Sequence, residues 1–173
     1  PWFIKPLWGP IVDILKTKKW WAMWMQIVVG IGFVATALLV PMGGAESGKI
    51  FAYTLIPFIL IALSAATYDV ASDGMYMINL NSNQQSIWVG LRSTACRVGW
   101  LLVDGGMLWL VGYVAGASAT PLSPSMLWAW QVTFYVLAAI TFVTAAYNFW
   151  AFPQDPHRDA QDGVDVKTVG GIA

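Results

Sequence analysis

The feature that most constrains this chain is an uncharged, apolar run that extends from Trp20 to Val40. As an α-helix, which rises about 1.5 Å per residue, such a run crosses the hydrocarbon core of a bilayer, which is about 30 Å thick. Three further apolar runs follow, separated by short segments that contain Pro, Gly or Asn. The sequence therefore predicts an all-α, polytopic transmembrane helix bundle with spans at about 20–41, 50–78, 87–116 and 126–152.

The composition supports a lipid environment and excludes several functions. Hydrophobic residues make up 58% of the chain and charged residues 10%, whereas soluble domains are about 45–50% apolar and about 25% charged. Nine basic and nine acidic residues balance, so the chain lacks the basic face that a nucleic-acid partner requires. Cys96 and His157 are the only residues of their types, which argues against a disulfide, a zinc cluster and most nucleophilic catalytic sites. We expect no cofactor and no metal.

The distribution of basic residues predicts the orientation of the spans. Basic side chains cluster in three regions, whereas the segments 42–49 and 117–125 carry no excess of positive charge. The clustered residues are Lys5, Lys16, Lys18, Lys19, Arg92, His157, Arg158 and Lys167. Four alternating spans put these three regions on one side of the membrane, and the positive-inside rule makes that side cytoplasmic.

The polar ends of the chain complete the predicted organisation. We expect residues 1–8 to be the tail of an earlier helix and residues 9–19 to be a cytoplasmic loop. Residues 153–173 are expected to form a cytoplasmic tail or the start of a linker. Because the chain begins with Pro1, we expect it to be part of a longer protein.

Charged side chains within the predicted spans are the strongest functional signal, because each costs about 2.5–3.5 kcal/mol near the bilayer centre. Counted from the polar turn at 79–85, Asp73 is level with Arg92, and Asp69 is level with Arg97. Asp69 and Asp73 share one helix face, whereas the two arginines diverge by about 140°. The hypothesis is that one Asp–Arg pair bridges the second and third spans, while the other arginine faces a cavity or the basic end.

The sequence allows more than one role for these residues. Such a pair can hold two helices in register or act as a gate, or it can contact a substrate or a proton directly. Asp104 lies near the middle of its span, before Gly105 and Gly106, without an obvious basic neighbour. Since burial disfavours a charged carboxylate, Asp104 is a candidate proton acceptor and donor. Alternatively, it is hydrogen-bonded or lies closer to the membrane surface.

The segment from Gly9 to Lys19 resembles the signature loop between the second and third helices of the major facilitator superfamily. The matching residues are Gly9, Asp13, Lys18 and Lys19, whereas an inner Gly and a basic residue directly after the Asp are missing. The resemblance implies a cytoplasmic gating loop, in which Gly9 permits close packing and Asp13 caps a helix and pairs with basic groups. Lys18 and Lys19 would anchor the loop or simply satisfy the positive-inside bias.

A second resemblance covers residues 66–76 and 90–99, which are similar to helices four and five of the AmpG-type muropeptide permeases. An Asp-x-x-x-Asp helix, a polar turn and a helix with a buried Arg before a Gly carry this similarity. It implies helices three to six of the amino-terminal half of a major facilitator fold. The implied function is proton-driven uptake of a small solute, such as a peptidoglycan fragment, across the bacterial inner membrane. The implied partners are the lipid bilayer, the carboxy-terminal half of the transporter, the solute and protons.

Two other functions compete with transport. An aspartyl intramembrane protease would need a Gly-x-Gly-Asp motif besides Tyr68-Asp69, and a serine protease would need a His within the membrane. Neither is present in the sequence, so we do not expect an enzyme. A membrane sensor or scaffold built on the same bundle, without transport, remains the alternative.

Overall fold

The structure is a computed structural model that describes residues 17–44, 46–117 and 119–151. Over these residues all regular secondary structure is helical, with no strand. The elements are α1 (Lys18–Leu39), a 3-10 turn (Pro41–Gly43), α2 (Ser47–Asn79), α3 (Ser82–Ala115) and α4 (Pro124–Ala151). The predicted helix tail at 1–8, most of the predicted loop at 9–19 and the predicted tail at 153–173 lie outside the described residues.

All four long helices are apolar enough and long enough to cross a membrane. The prediction of an all-helical chain with four candidate membrane spans is therefore confirmed. Each helix begins two to five residues before the predicted span, because its first turn is helical but polar and does not contribute to the apolar run. At the start of α1, for example, the backbone N–H of Trp20 donates to the Thr17 hydroxyl at 3.2 Å.

The connection between α2 and α3 is tighter than the sequence suggests. The polar stretch 79–85 predicts a long turn, yet only Leu80 and Asn81 lie outside the two helices. The Asn81 backbone N–H donates to the Gln84 side-chain oxygen at 3.2 Å and so stabilises the first turn of α3. As a result, α3 begins earlier than predicted, and its charged residues lie further along the helix.

Helix α1 is the centre of the bundle and packs against both α2 and α4. A Cβ at Gly32 would lie 2.5 Å from Ile61 of α2, and a Cβ at Gly30 would lie 2.7 Å from Phe142 of α4. These glycines allow the close helix approach that small residues provide in lipid. The buried residues of the three apolar clusters are Ala22, Ala71 and Met75; Ala37, Val40 and Phe134; and Val111, Ala115 and Ala129.

Helix α3 is the least covered of the four. Only 6% of its most apolar stretch is buried, against 22–28% in the other three helices. It packs mainly on α4, where Val111 and Ala115 meet Ala129. A Cβ at Gly99 or Gly106 would meet no atom within 4 Å, in contrast to the glycines of α1.

Candidate functional site

Two carboxylates on α2 and one guanidinium on α3 form the most compact charged cluster among the described residues. Asp69 and Asp73 are four residues apart, so their side chains leave α2 on the same face. Arg92 Nη2 donates to Asp69 Oδ1 at 2.8 Å, and Arg92 Nη1 donates to Asp73 Oδ1. One arginine therefore bridges α2 and α3 through two carboxylates.

This arrangement agrees with the predicted Asp–Arg bridge but differs from the predicted pairing by depth. The sequence matched Asp69 with Arg97, whereas Asp69 is bound by Arg92. Arg92 can contact both carboxylates because its planar fork donates to two acceptors in fixed directions. The carboxylates lie one turn apart, and that separation is within reach of the two nitrogens of a single fork.

The cluster is accessible from outside the described helices. The side chain of Arg92 is 41% exposed, that of Asp73 is 39% exposed and that of Asp69 is 22% exposed. The three groups are thus neither sealed in a core nor fully at the surface. A proton or a small polar ligand can reach them, and their mutual contacts restrict their orientations.

The side chain of Lys18, at the start of α1, lies next to this charged cluster. Its Cε would lie 2.6 Å and its Nζ 3.2 Å from a Cβ at Gly74, the residue that follows Asp73. The lysine stem thus occupies the space that the missing glycine side chain leaves on α2. Of the four residues in the predicted gating loop, Lys18 and Lys19 are described, whereas Gly9 and Asp13 lie outside the described residues.

A second polar cluster, which the sequence did not predict, lies within the bundle. Asn148 of α4 donates to the Gln26 side-chain oxygen of α1 at 2.9 Å and to the Tyr68 hydroxyl of α2 at 3.4 Å. Gln26 in turn donates to the Thr144 hydroxyl at 2.9 Å. The sequence did contain a signal for this cluster. Gln26 and Asn148 are amides within long apolar runs, and an amide in hydrocarbon needs a hydrogen-bond partner. This cluster joins α1, α2 and α4 next to Asp69.

The remaining two predicted site residues, Arg97 and Asp104, are not part of either cluster. Both are exposed on α3, and neither forms an ion pair with any other side chain that the structure describes. The five charged residues of the spans thus separate into a bridged group, with Asp69, Asp73 and Arg92, and a second group on the outside of α3.

The bridged group places one guanidinium between two carboxylates, and the same guanidinium could bind another carboxylate through charge-assisted hydrogen bonds. Within the described part of the chain, no three His, Cys, Asp or Glu residues are grouped so that they could hold a metal ion. A scan against protein-family models, a search of curated proteins and a search of solved structures each found no match to this chain.

Proposed function

We propose that this chain is part of a secondary active transporter of the major facilitator type, which moves a small solute across a membrane by alternating access. The observation that carries the proposal is the contact of Arg92 with both Asp69 and Asp73 between two candidate membrane spans. Ionisable groups inside membrane spans are costly, and they commonly mark solute or proton pathways. The resemblance of residues 9–19 to the family's signature loop supports the same assignment.

The proposal includes coupling to protons through this bridge. When Asp69 or Asp73 takes up a proton, it loses its charge, and a charge-assisted hydrogen bond worth about 1.5–3 kcal/mol is weakened. Helix α3 has few other contacts with α2, so the bridge is a principal connection between them. Protonation would therefore free α3 to shift relative to α2, and loss of the proton would restore the bridge.

The proposed solute is an anionic peptidoglycan fragment, and the proposed location is a bacterial inner membrane. Both rest on the similarity of residues 66–76 and 90–99 to muropeptide permeases. The exposure of Arg92 is consistent with this class of solute, since a guanidinium binds a carboxylate through two parallel hydrogen bonds. A solute carboxylate would compete with Asp69 and Asp73 for the same donor.

The test is uptake by the full-length protein in vesicles with an imposed proton gradient. The solute is a radiolabelled anhydromuramyl peptide, and the variants are Asp69→Asn, Asp73→Asn and Arg92→Ala. We expect gradient-driven uptake in the unaltered protein and a loss of roughly ten-fold or more in each variant, as removal of one charge-assisted bond predicts. The matched control is Lys49→Ala, which breaks the exposed Lys49–Glu46 pair at the other end of α2 and should leave uptake unchanged.

Two results would contradict the proposal. Uptake that is unaffected by all three substitutions would remove the bridge from the transport mechanism. Absence of uptake for every solute tested, in a protein that tolerates all three substitutions, would favour a membrane sensor or scaffold that uses the same bundle.

A further inference from the structure

The second charged group, on the outside of α3, has a regular arrangement. Arg97 and Asp104 are seven residues apart, so they lie on nearly the same helix face with about 10 Å of axial rise between them. Leu101 and Leu108 share this face and are 75% and 65% exposed. A basic side chain, an acidic side chain and two leucines thus alternate along one side of α3.

This face is distinct from the one that α3 turns toward α4. At the same depth, five residues of α3 line a groove whose other wall is formed by residues of α4: Leu102, Val103, Gly106, Met107 and Leu110. Four of them are about 100° or more around the helix from Asp104, and Met107 is about 60° away. Arg97 and Asp104 are themselves exposed, so the described helices leave their face uncovered.

Contact of this face with lipid would be energetically unfavourable. Inserting one charged side chain near the bilayer centre costs about 2.5–3.5 kcal/mol of free energy, and two such side chains cost about twice as much unless each has an oppositely charged or hydrogen-bonding partner. The axial separation and the lack of a contact in the structure show that Arg97 and Asp104 do not satisfy each other. Protein or water must provide their partners.

The intervening residues favour protein over water. Leu101 and Leu108 are apolar, whereas a water-filled pathway is lined mainly by polar groups. Gly105 is about 100° around the helix from Asp104 but only about 60° from Leu108, so it borders this face, and a Cβ there would meet no atom within 4 Å. Small residues on an open helix face allow another helix to approach closely in a membrane.

We infer that the α3 face formed by Arg97, Leu101, Asp104, Gly105 and Leu108 is the interface for a further transmembrane helix. That helix carries an acidic side chain at the depth of Arg97 and a basic side chain at the depth of Asp104. A second copy of this chain, related by a two-fold axis along the membrane normal, does not fit, because it would bring like charges together at each depth. The inference depends on α3 being a membrane span and does not depend on transport.

The first test measures what surrounds this face. A genetically encoded fluorescent amino acid is placed at residue 101 or at residue 108 of the full-length protein in vesicles. The control positions are residue 56 of α2, where Ile is 74% exposed, and residue 42 of the 3-10 turn, where Met is 68% exposed. Brominated lipids report contact with hydrocarbon, and iodide reports contact with water.

Protection of residues 101 and 108 from both quenchers is the expected result. Quenching by brominated lipids should be about three-fold or more stronger at residue 56, and iodide quenching about three-fold or more stronger at residue 42. Lipid quenching at 101 and 108 equal to that at 56 would overturn the inference. Iodide quenching equal to that at 42 would also overturn it, since the face would then line a water-filled pathway.

The second test uses charge reversal and distinguishes an external partner from internal pairing. Arg97→Asp and Asp104→Arg should each lower the amount of folded protein in the membrane. The double variant should not restore it, because each reversed charge still faces a like charge on the partner helix. Full recovery in the double variant would show that Arg97 and Asp104 pair with each other, and unchanged levels in the single variants would show that no partner is present.

Discussion

The side chain of Lys18 lies directly against the backbone of α2 at Gly74, where a Cβ would be 2.6 Å from the lysine Cε. This contact joins the start of α1 to the residue next to Asp73, which is bound by Arg92. The predicted cytoplasmic loop and the predicted charged helix pair are therefore in physical contact.

The first prediction concerns Gly74→Ala, which would fill the space that the Lys18 stem occupies. We expect a change in stability within about 1 kcal/mol, because Ala favours the helix by about that amount and the end of a lysine side chain can move aside. The Lys18 amine should then become more reactive toward a water-soluble acylating reagent, as measured by mass spectrometry of the peptide. Gly99→Ala is the matched control, since nothing lies within 4 Å of that position. Equal reactivity of Lys18 in both variants would contradict the prediction.

The second prediction compares Arg92→Lys with Arg92→Ala. Lysine keeps the charge but lacks the planar fork, so it should lose one of the two contacts with Asp69 and Asp73. We expect Arg92→Lys to lower the free energy of unfolding by about 1 kcal/mol and Arg92→Ala by about 1–3 kcal/mol. The measurement is denaturant unfolding in detergent micelles.

The control for Arg92 is Lys49→Ala, which removes a pair whose side chains are 57% and 66% exposed. Such a surface pair should contribute less than about 1 kcal/mol. An Arg92→Ala variant as stable as Lys49→Ala would mean that the bridge contributes nothing to helix association.

The number, type and approximate position of the helices can be predicted from the sequence because they depend on local properties. The uncharged run from Trp20 to Val40 is long enough for a span whatever its neighbours are. The spacing of Asp69 and Asp73 likewise determines that they share a helix face, since this depends only on the helical repeat. An arginine bridge to the next helix follows from the cost of leaving those carboxylates in hydrocarbon without a partner.

The identity of the partners depends on tertiary structure and was only partly predictable. Which arginine contacts Asp69 depends on where α3 starts and on its rotation, and the capped turn at Asn81 moved that start. The contact of Gln26 with Asn148 joins residues that are 122 apart in the chain. From the sequence alone one can predict that a buried amide needs a hydrogen-bond partner, but not which residue that partner is.

The third prediction tests this contact by a double-mutant cycle with Gln26→Leu and Asn148→Leu. The coupling free energy between the two side chains should be about 0.6 kcal/mol and at most about 1.7 kcal/mol, the range found for interhelical hydrogen bonds in membranes. Tyr68→Phe is the control, because its 3.4 Å contact with Asn148 is long and should contribute less. A coupling energy of zero between residues 26 and 148 would show that the hydrogen bond does not stabilise the bundle.

The fourth prediction concerns the turn at the opposite end of α1, where Gly43 is buried against the first turn of α2. A Cβ at Gly43 would lie 2.7 Å from the Ile50 backbone nitrogen and 2.8 Å from its Cα. Backbone atoms cannot move aside as a side chain can, so Gly43→Ala should separate α2 from the turn and cost about 1–3 kcal/mol.

The matched control is Gly48→Ala, five residues further along, where a Cβ would meet no atom within 4 Å. That substitution should be neutral or slightly stabilising, by up to about 1 kcal/mol, because it replaces a glycine within a helix. The measurement is the free energy of unfolding of both variants in the same detergent. Both substitutions add one methyl group near the start of α2, so a difference between them reports the contact that this methyl group makes with Ile50. If Gly43→Ala were as stable as Gly48→Ala, the close contact of the turn with Ile50 would not exist in the folded protein.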